Sequence, residues 1–538
     1  MMKLFVLLFA SIPSLLFAQN FPPNIYITNV IVDTSLQNIK VNFDVLDGIG
    51  PVPLDIKAFL SADSGLTYIA PMQNLTGMVG FPIFQGNSKN LTVWYNKDSL
   101  YQAAGGNSNA WFMIKIVADD QEPISIQNMI DDIDSSLVYQ YMQYIAQPRN
   151  HIGAPLVLSA IKDSIENNFN RSNLQTKRDN FNFGIYGGQN IIGRKPGLFQ
   201  EKKTIIVDAH FDAVNNSPGA DDNGSSLTAV LIASKILSNF QFEKSLKFIA
   251  FDKEENGLLG SSFYVNNSIP NYEETESVLN MEMIGYYDDA PNSQLVPNGF
   301  SQLFPAAIDS ISTGGNQGVW LFTVGNANST SLSYAFDTIA RNYVPNVKSL
   351  VLNVPGNGQV APDLRRSDHA PFWDAGYSAL MLTDGADFRN ANYHTPGDSL
   401  ETLNFPFLVR NVKAVTAVAA SLAKPISAGY AVVGPWQLIK GMGTGVEESE
   451  FKVNAEVFPN PSNQEIYLKF DSDIKSLQLM IHDSKGNLVF QKEMLNIKKG
   501  VAFTVPLDEM PAGVYFLSAK GEEFQFAKKI VLSEKHNH

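Results

Sequence analysis

The sequence predicts an α/β domain built on an open mixed sheet flanked by helices, set between two β-sandwich domains. The apolar runs TIIVDAH (204–210), LKFIAFD (246–252) and VLNMEM (278–283) read as buried strands, and LVLNV (350–354) and ALMLTD (379–384) add two more. Between the first two lies SSLTAVLIASKILSNF, where Leu227, Val230, Leu231, Ile236 and Leu237 fall at helical spacing. Strand, helix, strand in this order argues for a sheet with helices on both faces. Short alternating runs flank this region: IKVNFDVL, PLDIKAFL, LTVWY and WFMIKIVA before it, EVFPNPSNQEIYLKF, LQLMIHDSKGNLVF and FAKKIVL after it. Gly, Asn, Asp and Ser separate those runs, the pattern of antiparallel sandwiches.

Length supports the same division, since 538 residues at ~150 per domain give about three domains. The expected boundaries are 1–18 for a signal peptide, 19–122 for the first sandwich, 123–440 for the α/β domain and 446–538 for the last β-domain. Residues 1–18, MMKLFVLLFASIPSLLFA, combine Lys3, an apolar core and Ala18 at a cleavage position. That run is shorter than the ~20 residues that cross a bilayer, and no later segment has that length, so an exported protein without an integral membrane span is expected. With 39 Lys+Arg against 53 Asp+Glu and no basic cluster, a nucleic-acid partner is excluded. The absence of cysteine removes disulfides, thiolate metal sites and cysteine nucleophiles, leaving His, Asp and Glu to carry any metal chemistry.

Five segments place such residues at strand ends and in turns, where open α/β sheets bind ligands. His210 ends IIVDAH, and Asp212 follows close enough to fix the tautomer of its imidazole. PGADDNGSS puts Asp221 and Asp222 in a Gly-rich turn before the helix, where one carboxylate can bridge two cations and Asp222 or Asn223 can serve as N-cap. FDKEENGLLGS offers two adjacent carboxylates that can divide the labour, Glu255 as ligand and Glu254 as proton acceptor. Glu282 lies in the apolar run VLNMEMIGY, where a bare carboxylate is expensive to bury and a metal removes that cost. His394 lies in NYHTPGDS, a loop turned by Pro396 and Gly397. Two zinc ions would be balanced in charge by Asp221, Glu255, Glu282 and a bridging hydroxide.

The motifs HFD, GADDNGSS, KEENGLLGS, MEMIGY and YHTPGDS, in this order over roughly residues 125–430, resemble metallopeptidase family 28, the bacterial leucyl aminopeptidase-like di-zinc exopeptidases. The resemblance implies the zinc exopeptidase fold, with two Zn²⁺ as cofactors. His210 and Glu282 would bind one ion, Glu255 and His394 the other, Asp221 would bridge them, and Glu254 would be the general base, with Asp212 orienting His210. It also implies a cis peptide between Asp221 and Asp222. The expected activity is removal of N-terminal residues from peptides, with a carboxypeptidase, a glutaminyl cyclase-like enzyme and an inactive surface binding protein as rivals. Many family members carry Asp where this chain has Glu282, which lengthens one ligand. RRSDHAPFWDAGYSALML also resembles the family and offers Asp368 or His369 to line the substrate cleft. The first sandwich resembles fibronectin type III-like modules. The last domain, with Pro459 to Ser462, Pro511 to Gly513 and the terminal KKIVL, resembles the sorting domain of type IX secretion cargo. That likeness implies the secretion machinery as a partner and a secreted or cell-surface location.

Overall fold

The computed structural model describes residues 22–47, 52–65, 68, 72–184, 186–439, 455–460, 462, 465–483, 488–507, 510–521 and 525–533. The expected signal peptide, 1–18, and Pro461 of the sorting motif lie outside them.

At the centre is an eight-stranded sheet in the order Ser349–Asn353, Leu321–Gly325, Ala379–Thr383, Glu274–Glu282, Gln200–His210, Lys244–Phe251, Tyr186–Lys195, Gln175–Phe183. The four middle strands, from Ala379–Thr383 to Lys244–Phe251, run parallel; Leu321–Gly325 joins one side antiparallel and carries Ser349–Asn353 parallel to itself, and two successive antiparallel pairings add Tyr186–Lys195 and Gln175–Phe183 on the other. Alternation along the strands sorts side chains onto two faces. Ile205, Val207, Leu279, Met281, Leu380 and Leu382 pack on one face beneath helices Ser226–Leu237 and Phe405–Ala423. Ile206, Ile249, Val278 and Met381 pack on the other with Tyr264, Phe372 and Trp373.

Helix Ser226–Leu237 is buried on nearly every side, which explains why it is apolar almost all round. Helix Phe405–Ala423 starts where Asn404 Oδ1 accepts the Phe407 amide at 2.9 Å and ends before Pro425, which cannot continue it. Among the described residues it alone has the length and apolarity to cross a membrane, so the expectation that no later segment is long enough misses it. Its apolar side is occupied by the sheet core.

Two four-stranded sheets form the first sandwich. One contains Asn24–Asp33, Asn38–Leu46, Gly86–Trp94 and Leu75–Gly77; the other has the order Ala428–Trp436, Phe112–Asp119, Pro53–Ser61, Gly80–Phe84. The strand Ala428–Trp436 thus departs from the expected boundaries, which placed it in the α/β domain. It pairs antiparallel with Phe112–Asp119, and Val433, Leu438 and Ile439 enter the sandwich core with Phe43, Ile56, Val93 and Ile114. The reason is that Phe112–Asp119 is buried along nearly its whole length, as an interior strand must be, so it needs a partner on each edge. The α/β domain is therefore inserted between the penultimate and last strands of this sheet. The C-terminal β-domain packs a three-stranded sheet against a four-stranded one over Ile466, Leu468, Leu479, Ile481, Leu517 and Ile530.

Ending the chain at residue 427 is expected to leave an interior strand edge bare and to remove Val433 and Ile439, at about 2 kcal/mol each, from the core. Scanning calorimetry should show loss of the cooperative sandwich transition; an unchanged transition would contradict the inserted arrangement.

Candidate metal centre

The parallel register brings the first two functional side chains together. Asp208 pairs with Asn280, so His210 and Glu282, two residues further on, end adjacent strands on the same face. His210 is fully buried, and its Nε2 lies 3.4 Å from Glu282 Oε2, 3.4 Å from Asp222 Oδ1 and 3.8 Å from Glu254 Oε2. These separations are longer than regular hydrogen bonds and leave Nε2 without such a partner. Its other nitrogen lies 3.1 Å from the Asp212 carbonyl and 3.5 Å from the Asp212 carboxylate. The carbonyl is thus the closer partner, while Asp212 Oδ1 accepts the Glu254 amide at 3.1 Å and anchors the turn carrying both glutamates.

His394 closes the other side. Its Nε2 is 3.0 Å from Asp222 Oδ2 and 3.4 Å from Glu255 Oε2, so the two oxygens of Asp222 face the two imidazoles. Three groups of ligand-type atoms each gather within 4.8 Å: His210, Asp222 and Glu282; Asp222, Glu255 and His394; and His210, Glu254 and Glu255. The shared member of the first two is Asp222.

Asp222 therefore replaces Asp221 as the carboxylate between the two histidines. Asp222 adopts an extended conformation (φ −97°, ψ 92°), and neighbouring side chains on extended backbone point to opposite sides. Only one of the two can face His210. Asp221 turns away, its Oδ1 accepting the Gly285 amide at 3.0 Å and its Oδ2 the Asn390 side-chain amide at 3.2 Å. Burial, then the nearby carboxylate of Asp384, push its carboxyl well above the usual range. The cis peptide likewise stands one residue later than expected, between Asp222 and Asn223.

Residues that were not singled out from the sequence hold this turn. Asp398 accepts the Asp221 and Asp222 amides at 2.8 and 3.0 Å. Arg149, fully buried, donates to the carbonyls of Phe211 (2.7 Å), Pro218 (2.7 Å) and Gly219 (2.8 Å), fastening both ends of the loop after His210. Gly219 is required here: its φ is +58°, and a Cβ would stand 2.5 Å from the Asp222 carbonyl oxygen. Ser367 donates to Glu282 Oε2 at 2.6 Å, and Asn223 donates to the Met281 carbonyl at 2.9 Å. Asp398 and Ser367 were present in the motifs YHTPGDS and RRSDH, but a carboxylate in a loop and a serine beside an acid carry no signal of their own.

Asp368 and His369 do not line a cleft. Both are fully buried; His369 Nε2 is 2.9 Å from the Leu364 carbonyl, and its ring packs edge-on against Trp373 at 4.4 Å. The short helix His369–Asp374 turns them inward under Phe372 and Trp373.

The electrostatics reflect many acids in little water. Burial, reinforced by the charges of Glu282 and Glu255 against the opposing His210, pushes Glu254 well above the usual carboxyl range. Burial and the Asp222 charge raise Glu255 to about 7. Burial disfavours the Asp222 carboxylate, but the two imidazoles of His210 and His394 facing its oxygens outweigh it and hold its pKa below the usual range. For His394, burial opposes protonation, and Asp222 and Glu255 overcome it to give a value of about 10. Glu255 Oε1 is buried without a hydrogen-bond partner, as His210 Nε2 is. A set of imidazole nitrogens and carboxylate oxygens with unpartnered buried donor atoms fits divalent cations of borderline softness.

Beside this cluster lies a pocket enclosing about 420 Å³, including its open mouth, lined by Phe300, Phe322, Leu352, Leu364, Phe388 and Thr383 among others. Thr383 is the cross-strand neighbour of Glu282, so pocket and cluster adjoin on one sheet face.

The model for peptidase family M28 matches residues 190–419, and that for the secretion system C-terminal sorting domain matches residues 456–533. Aminopeptidase YwaD of Bacillus subtilis (strain 168) is 31% identical over 241 residues, 44% of this chain and 45% of that protein. Leucine aminopeptidase 2 of Trichophyton rubrum is 26% identical over 256 residues, again 44% of this chain and 45% of its own length. The matches thus span less than half of either relative. A solved structure of BSAP, a zinc aminopeptidase from Bacillus subtilis, shares 28% identity over 45% of this chain and 52% of its own, with a TM-score of 0.35. The chain therefore carries a peptidase family M28 domain followed by a secretion system C-terminal sorting domain.

Proposed function

We propose that this protein is an exported, zinc-dependent aminopeptidase that releases N-terminal residues from peptides. The observation that carries the reading is the pair of overlapping ligand groups joined by Asp222 at the carboxyl ends of the central strands. His210, Asp222 and Glu282 would hold one ion, and Asp222, Glu255 and His394 a second, with Asp222 bridging. The longer side chain of Glu282 still reaches, and Ser367 holds the oxygen that faces His210. Bound zinc supplies a Lewis acid for the peptide carbonyl and lowers the pKa of water toward ~7.

The remaining chemistry belongs to the chain. Glu254 has its main chain fixed on Asp212 and its carboxylate at the rim of the cluster, and burial raises its proton affinity. Such a group accepts a proton from the attacking water and passes it to the leaving amine. Asp212 positions both Glu254 and His210. The apolar pocket beside Glu282 offers space for the side chain of the residue being released, and the names of YwaD, leucine aminopeptidase 2 and BSAP support action at the amino terminus. The sorting domain supports export by the type IX machinery to the cell surface or beyond.

Replacing Glu254 by Gln should lower kcat for an aminoacyl anilide by about 10²–10⁴ while zinc content, measured by plasma mass spectrometry, stays at the wild-type level. Undiminished turnover in that variant would eliminate Glu254 as the base. A metal count also separates the two neighbouring aspartates. Asp222→Asn is expected to lose zinc and activity; Asp221→Asn, isosteric and turned away from both imidazoles, should keep both, and the opposite pattern would return the bridge to Asp221. Among anilides, Leu or Met at the amino terminus should exceed Asp by at least about tenfold in kcat/KM, and equal rates would disconnect the apolar pocket from specificity.

A further inference from the structure

The two imidazoles of the cluster are held very differently. His210 ends a central strand, is fully buried and has its Nδ1 against the Asp212 carbonyl. His394 stands in a loop outside helix and strand, at φ +58°, with 38% of its side chain exposed. Rotation about its last side-chain torsion would swing Nε2 away from Asp222 and Glu255, because that torsion has broad minima. Something must fix the ring plane.

Tyr393 does so from one face: its ring stacks on His394 with centroids 3.8 Å apart and planes inclined by 22°. Tyr393 is in turn gripped by Arg366, whose Nη2 donates to the phenol oxygen at 3.0 Å and whose guanidinium carbon lies 5.7 Å from the ring centroid. Arg366 immediately precedes Ser367, the residue that holds Glu282 from the opposite side of the cluster.

We infer that Arg366 is a positioning residue for His394, acting through Tyr393, so that the segment Arg366–Ser367 sets both outer ligands of the metal cluster. The inference rests on the zinc reading above. Partners of metal ligands one step removed commonly change affinity by about 10–100-fold when lost, through orientation alone. The effect should therefore fall on one ion, the one His394 serves, and spare the other.

The test is zinc titration of the full-length, metal-stripped protein against a chromophoric chelator, with His394→Ala as the reference for the affected ion. Arg366→Ala should weaken that same ion about tenfold and leave the other within twofold, with an unchanged thermal midpoint. Tyr393→Phe, which keeps the stacked ring but loses the acceptor for Arg366, should reproduce the selective loss and guards against misfolding of the first variant. Wild-type affinities for both ions in the two variants, or equal weakening of both ions, would overturn the inference. A wild-type protein that takes up no zinc would instead overturn the metal reading.

Discussion

The organising constraint of this protein is negative charge gathered where water is scarce. Asp222, Glu254, Glu255 and Glu282 face two imidazoles at the carboxyl ends of the central strands, and each is largely or wholly out of solvent. Two like charges 4 Å apart repel by about 4 kcal/mol even at an effective dielectric of ~20, so such a cluster is costly without cations. The acid shifts of Glu254 and Glu255 and the base shifts of the two histidines are the same fact seen from both sides: protons are drawn in where divalent charge would serve.

What keeps the acids in place is a surrounding set of hydrogen bonds, most of them to main-chain groups, rather than salt bridges to the acids themselves. Asp398 binds two successive main-chain amides, Arg149 spends its guanidinium on carbonyls, and Ser367 and Asn223 hold Glu282 and its strand. Leaving a buried amide without an acceptor costs about 1–3 kcal/mol, so the turn that carries Asp222 is determined by groups that never touch a metal. Asp221 belongs to this supporting set, its two oxygens accepting the Gly285 amide and the Asn390 side-chain amide and so tying the turn to the segment that delivers His394.

The first sandwich adjoins the opposite end of the same strands. Phe199 stacks on Phe59 at 5.2 Å, and Leu198, Met113, Val117 and Val432 pack around them. Glu201, near the start of the strand that ends in His210, lies close to buried Lys115, and nine residues at ~3.3 Å each put roughly 30 Å between that contact and the imidazole. The sandwich thus braces the amino ends of the strands, away from the ligand cluster at their carboxyl ends.

Periodicity and residue type alone made much of this legible. The buried strands, the helix between the first two, the flanking sandwiches and the segments bearing His210, Glu254, Glu255, Glu282 and His394 are local signals, because alternation and strand-end position are written in consecutive residues. The tertiary structure decided the rest. Choosing Asp222 over Asp221 depended on which way one extended residue points, and that is set by Asp398, 176 residues away in sequence. The ownership of Ala428–Trp436 depended on a strand edge some 310 residues earlier that needed a partner. Asp368 and His369 look like exposed polar residues in sequence, yet both are fully buried, His369 against Trp373. Sequence pattern reports what a segment is, whereas direction, pairing and burial are properties of the surfaces it meets after folding.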